Sequence, residues 1–314
     1  MRCVRRAPLR QGTASCRSLD LNGAMATHMN DLIGGHAYGV VDATMRALVP
    51  KGVRVAPLVP RRLAGSAHLM PALVELKSAR ESALGELFGG TDDTAPGMNI
   101  PVVAVMLKTA IGMDEVERRW NAGQLASPHS GNLVWLRMHD PRVLHQLLRI
   151  LSPAQCRHLF GRIDAITYRI GGAWVERKIG GSIPQPRPDR ANEAPAYRDW
   201  ARIARIGIVN RALRRADIRD AAQLDICSEA AEAALDRGAS RYGLLGAEDL
   251  TEFAFRALVC RPGFDEDPCV AAAIRQYASN RNDSYLSDHF ALIAPEVWRA
   301  LREGALVEDR RMSC

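Results

Sequence analysis

Two places in the sequence set chemically capable side chains close together. His139 is followed at once by Asp140, the residue types of an acid–base pair, and Cys156 stands two residues before His158, the types of a thiol–imidazole pair. Neither spacing serves that chemistry. Adjacent residues at a strand end point apart, so residues 139 and 140 share no local proton path. Residues two apart on a helix lie on different faces, which makes Cys156 a buried small hydrophobe and His158 a surface residue. The eight histidines (28, 36, 68, 129, 139, 145, 158 and 289) include no i, i+4 pair, and the seven cysteines (3, 16, 156, 227, 260, 269 and 314) no CxxC. A metal site would need His139, His145, Cys156 and His158 to converge through the fold alone. Phosphate-binding loops, dinucleotide fingerprints, GxSxG and HExxH do not occur. No catalytic, cofactor or metal residue is therefore assigned.

The element that must position His139 and Asp140 is the run from Leu133 to Leu144. Leu133 to Met138 is a short apolar stretch with one charge, expected as a buried strand. Asp140 then suits an N-cap, because its carboxylate can accept from free N–H groups of the first helical turn. Pro141 fits the first helical position, where a missing N–H costs nothing. Val143, Leu144, Leu147, Leu148 and Leu151 follow at helical spacing. Arg142 is the residue the cap does not explain. A cation in the first turn faces the wrong end of the helix dipole, so an internal partner, Asp42 or Asp164, is expected.

Around this centre, residues 36–42 read as an early strand, His68 to Leu76 as a strand begun near Pro71, and residues 80–88 as a helix stopped by Gly89-Gly90. Asn99 to Lys108 is a continuous β-branched run, the signature of a buried strand, and Gly112 to Leu125 a helix with acidic residues at its start. Ser152-Pro153-Ala154-Gln155 is a capping box opening a helix to Phe160, ended by Gly161. Gly171-Gly172 is a two-residue hairpin signal between Arg162–Ile170 and Ala173–Lys178. Beyond the Pro- and Gly-rich residues 179–196 strand signals vanish. Helices are expected at Tyr197 to Arg219 with a break at Gly207, then across Leu224 to Tyr242, Leu250 to Leu258, from Pro268, and from Pro295.

The fold class expected is α+β: an N-terminal α/β lobe with a mixed sheet over residues 31–178, a linker at 179–196, and an all-α lobe over 197–314. Residues 1–30 are basic without an apolar h-region and read as a leader or a mis-assigned start, with Met25 or Met29 as the start expected on N-terminal sequencing. The net charge of +7 and pI near 9.2 draw heavily on that leader. Scattered cysteines, odd in number, fit reduced thiols in the cytoplasm. No run is long and apolar enough for a membrane span.

Arg198, Arg202, Arg205, Arg211, Arg214, Arg215 and Arg219 form the densest charge run. Their spacing spreads them over most of a helix surface, so a solvated face ranks first, docking of an acidic protein second, and nucleic acid third. Only Tyr197 and Trp200 lie nearby for base stacking. Arg211, Arg214 and Arg215, with His139 and Arg142 beside the cap, are the candidates for partner binding. Two other functions remain open on residues alone: a hydrolase with an unrecognised Cys/His/Asp site, for which Cys156, His158 and His139 are the residues to test, and a basic nucleic-acid-binding module.

The central stretch also resembles the DUF4123 family. The matching residues are Leu136-Arg137, Asp140-Pro141-Arg142-Val143-Leu144, Leu147-Leu148, Leu151 and Phe160-Gly161, of which Asp140, Pro141, Phe160 and Gly161 are the structural signature. Tyr38 to Ala43 and Pro71 to Leu76 look like upstream family elements. Residues 239–243, 249–255 and 263–268 look like its C-terminal half. Met138-His139 stands where the family has aromatics. The resemblance implies a cytoplasmic, non-enzymatic adaptor chaperone of type VI secretion, with no cofactor, that binds a secreted effector and helps mount it on a VgrG-type spike. It implies neither membrane nor nucleic-acid partners.

Overall fold

The computed structural model describes residues 32–89, 101–126, 133–179, 197–280, 283–303 and 305. Its centre is a six-stranded sheet of order β2-β3-β1-β4-β7-β8, built from β1 (Tyr38–Val41), β2 (Val55–Pro57), β3 (Ala72–Glu75), β4 (Val103–Lys108), β7 (Ala165–Ile170) and β8 (Ala173–Lys178). A separate two-stranded ribbon pairs β5 (Leu125–Ala126) with β6 (Val134–Trp135). The α+β class read from the sequence holds. Within the sheet expected as mixed, every registered pair is antiparallel, because β1 takes β3 and β4 antiparallel on its two sides and β8 returns on β7 through a tight turn.

Alternation along the strands gives the sheet two apolar faces. Tyr38, Val40, Leu73, Val105, Leu107, Ile166 and Tyr168 face the main core. On that side lie α2 (Met113–Gly123), which packs on β2 and β3, and α3 (Pro141–Ile150), which packs on β7. Val41, Ala72, Val74 and Met106 are equally buried on the other side. Phe88, the last residue of α1 (Glu81–Phe88), meets Trp174 of β8 edge-to-face with centroids 6.0 Å apart.

The C-terminal half is helical. α5 (Tyr197–Arg215), α6 (Ala221–Tyr242) and α7 (Ala247–Val259) pack on one another, with α8 (Pro268–Ser279), α9 (Leu286–Ala291) and α10 (Pro295–Arg302) following. α5 runs unbroken through Gly207, where a break was expected, since one glycine costs only about 1 kcal/mol against alanine. It packs along α3, so one hydrophobic core continues from Leu144 and Leu147 into Ile206, Val209 and Leu213. Residues His36–Cys314 form one compact unit. Of the segment Met1–Gly35 only residues 32–35 are described. The expected leader and all of the expected linker except Ile179 lie outside the described residues.

That joint explains a burial pattern the helical periodicity of α3 does not foretell. Leu144, Leu147 and Ile150 are buried as an amphipathic helix requires, yet so are His145 and Gln146 on its expected polar side. The helical half covers them. Gln146 Nε2 donates to Ser228 Oγ on α6 at 2.7 Å, and Arg149 is ion-paired with Glu232, which also takes Arg202 Nε at 3.0 Å. Arg202, Arg205, Arg211 and Arg215 of α5 are seam residues for the same reason. Arg205 pairs with Asp236, Arg215 with Glu252 at 2.5 Å, and Arg211 reaches Thr251 Oγ1 at 3.3 Å. Their spread around the helix matches two acidic neighbours, α6 and α7, rather than one solvated face.

Candidate functional site

Leu133 to Met138 does not form the expected buried strand. Only Val134 and Trp135 pair, outside the main sheet, and Leu133 and Val134 are exposed at 45% and 36%. What fixes the segment is Gln124, wholly buried at the end of α2. Its backbone oxygen accepts from Leu136 N at 2.8 Å, its Oε1 from Trp135 Nε1 at 3.2 Å, and its Nε2 donates to Leu58 O at 3.0 Å. The chain then buries Leu136 and Met138 and delivers His139 and Asp140 to the head of α3. Asp140 Oδ1 accepts from Arg142 N at 3.0 Å, and Pro141 opens the helix, as the residue types dictate.

Arg142 pairs with neither Asp42 nor Asp164. Its Nε and Nη2 reach Asp140 Oδ1 and Oδ2 at 3.1 and 3.0 Å, so the cap carboxylate clamps both ends of its neighbour. Asp42 is occupied elsewhere. Its Oδ1 caps the 3-10 turn Ala43–Leu48 by accepting from Thr44 N at 2.9 Å and Thr44 Oγ1 at 2.6 Å, while Oδ2 lies 3.2 Å from His139 Nε2. Burial works to raise the Asp42 pKa, but hydrogen bonds from Thr44 and the nearby charges outweigh it and hold the carboxyl below its ordinary range. His139, 5% exposed, stacks on Trp135 at 5.5 Å. Burial depresses its pKa, only partly offset by Asp42, so the ring is neutral near pH 7. Its Nδ1 has no hydrogen-bond partner among the described residues.

These residues line a cavity of about 660 Å³, bounded also by Arg137, Arg169 and the Gly171-Gly172 turn. A second cavity of about 330 Å³ is lined by the same turn together with Gln146 of α3 and Asn210, Leu213 and Arg214 of α5. The two adjoin along their shared residues Arg142, Ile170, Gly171 and Gly172 and together are called the groove. The turn is locked into the groove floor. Gly171 has φ +61°, and a Cβ there would stand 1.4 Å from the Arg219 carbonyl oxygen, so only glycine lets the hairpin tip touch the α5–α6 connection.

Of the five residues singled out as partner-binding, the fold brings three together. His139 and Arg142 line the larger cavity, and Arg142 and Arg214 the smaller. Arg211 and Arg215 point instead into the α5–α7 seam, where Arg215 also covers the Phe255 ring at 4.6 Å. Arg214 is exposed and has no ion-pair partner among the described residues. The sequence reading missed Arg169 and the hairpin tip as groove walls. The only signal for either was the Gly-Gly pair, which marks a turn but not what it touches.

The pairs first considered for catalysis do not assemble a nucleophile. Cys156 is buried and its thiol is pushed up to about 11 by desolvation, the opposite of activation, while His158 is exposed. The Thr44 hydroxyl, which lines the same cavity as His139, donates to Asp42. Among the described residues no group of three or more His, Cys, Asp or Glu side chains converges as a metal would need. No described helix is long and apolar enough to cross a membrane.

Residues 58–158 match the family model described as Domain of unknown function (DUF4123). The matched span is about a third of the chain and runs from Leu58, just after β2, through α3 and most of α4 (Pro153–Phe160). No curated protein and no solved structure matches this chain. The DUF4123 segment contains the Gln124 tether and the Asp140-Pro141 cap, and it supplies Arg137, His139 and Arg142 to the groove. Asp42, Arg169, Gly171 and Arg214 come from outside it, as do the helical half and the terminal Phe160-Gly161 of the signature. Gly161 closes α4 with φ +65°, and Arg119 Nη1 lies 2.6 Å from where a Cβ would project.

Proposed function

We propose that this chain is a non-enzymatic, cytoplasmic adaptor chaperone that binds a type VI secretion effector and helps load it onto a VgrG-type spike. The observation that carries the reading is the DUF4123 match over residues 58–158, since that family is associated with effector adaptors. The geometry supports it. The groove is walled by charged and apolar side chains from both halves of the chain, and among the described residues that line it there is no cysteine. Such concave surfaces between packed layers are common places for a partner to bind. A hydrolase would need a low-pKa thiol or a hydroxyl bonded to an imidazole at Cys156 or His139, and neither residue has that environment.

The test is genetic. Removing this protein from its host should abolish export of its cognate effector while the spike protein is still exported. Unchanged effector export in its absence would overturn the reading.

A further inference from the structure

The groove has a chemistry of its own, and it is one-sided. Its two cavities are lined by five arginines, Arg137, Arg142, Arg169, Arg214 and Arg219, and by three aspartates, Asp42, Asp140 and Asp217. Each aspartate is already engaged: Asp42 with Thr44 and His139, Asp140 with the α3 cap and Arg142, Asp217 with Arg219 at 2.7 Å. Arg142 and Arg214 retain capacity. Arg142 is 57% exposed on its side chain, and its pair with Asp140 is between residues two apart at the surface, an interaction of little net worth that a second carboxylate can share. Arg214, which lines the smaller cavity, has no ion pair among the described residues. Between them the wall is apolar, with Ile170, Leu213, Ile218 and Leu224 in the smaller cavity.

Resting on the adaptor reading, we propose that this groove is the docking site for an acidic, extended segment of the partner protein, its carboxylates taken by Arg142 and Arg214 and its apolar side chains by the wall between them. Guanidinium groups facing a groove suit bidentate carboxylate capture. An extended peptide presents side chains on alternating sides, which matches a groove with a charged rim and an apolar wall. Nucleic acid fits less well. A phosphate track would pass Asp42, Asp140 and Asp217, and among the described residues no Phe, Tyr or Trp lines either cavity as a stacking platform.

The experiment is selection of binders to the full-length protein from a random peptide library. The best binders are then titrated by fluorescence anisotropy against the wild type, Arg142→Gln, Arg214→Gln, and a double variant carrying Arg142→Glu and Arg214→Glu. Both positions are exposed, so the melting temperature should be unchanged in each single variant. The expected result is a pool enriched in Asp and Glu that weakens with added salt, loses about tenfold in affinity for each single variant, and fails to bind the double variant. Three results would overturn the proposal: no selected binders, binders without acidic enrichment, or acidic binders indifferent to Arg142 and Arg214. Displacement of the peptides by a short single-stranded oligonucleotide at equal concentration would assign the groove to phosphate instead. Effector export is a separate readout. Acidic-peptide binding without any effector dependence leaves the groove intact and sinks the adaptor reading, and effector dependence without groove binding does the reverse.

Discussion

Replacing Asp140 with alanine removes the acceptor that holds the first turn of α3 and frees Arg142. The cap is a single hydrogen bond from Arg142 N at 3.0 Å, and losing such a cap costs about 1 kcal/mol. The guanidinium pair adds only a few tenths, because Arg142 is mostly exposed. The total of roughly 1–1.5 kcal/mol should lower the melting temperature of a unit this size by about 2–3 °C. Asp140→Asn keeps a side-chain acceptor and should lose less. The difference should also depend on pH. Burial pushes the Asp140 pKa up, but hydrogen bonds and charge from Arg142, with Arg137 nearby, outweigh this and hold it below the ordinary value. A carboxylate with a depressed folded pKa contributes stability above its unfolded pKa, near about 4, and loses it as pH falls through the folded value. The gap between wild type and Asp140→Ala should therefore be full near pH 7 and shrink toward pH 3, as read by thermal melts in circular dichroism. Equal melting temperatures near pH 7, or a gap that widens on acidification, would refute the capping argument.

Other expectations follow from the joints around the groove. Gly171→Ala must displace the hairpin tip from the Arg219 carbonyl and strain a positive φ, so it should cost on the order of 2–3 kcal/mol in urea unfolding. Glu232→Ala leaves Arg149, 10% exposed, facing α6 without its carboxylate, and should cost on the order of 2–3 kcal/mol, against about 1 for Asp236→Ala, whose carboxylate is 74% exposed. Similar losses for the two would mean that α3 and α6 are not joined through Glu232.

How much of this was legible in the sequence depended on range. Asp140-Pro141, the Ser152–Gln155 box and the Gly171-Gly172 hairpin all stand as read, because a cap or tight turn is decided by residues two to three apart. Leu133 to Met138 was misjudged because its environment is set by Gln124 and Leu58, far away in sequence. His145 and Gln146 looked like an outer face, since nothing local announces that α6 will cover them. The arginine run looked solvated because its partners Glu232, Asp236 and Glu252 lie 30 to 37 residues downstream. For the candidate site, residue type alone found His139, Arg142 and Arg214. Only tertiary structure could separate these from Arg211 and Arg215, or pair His139 with Asp42.

The central claim is that this protein holds another protein. The most direct measurement is affinity capture of the tagged full-length chain from its native host, with mass spectrometry and light scattering of the eluate. A stable complex with one secreted effector at one-to-one stoichiometry is the predicted result, lost on substitution of Arg142 and Arg214 together with glutamate. Recovery of the chain alone, or with nucleic acid as its only companion, would contradict it.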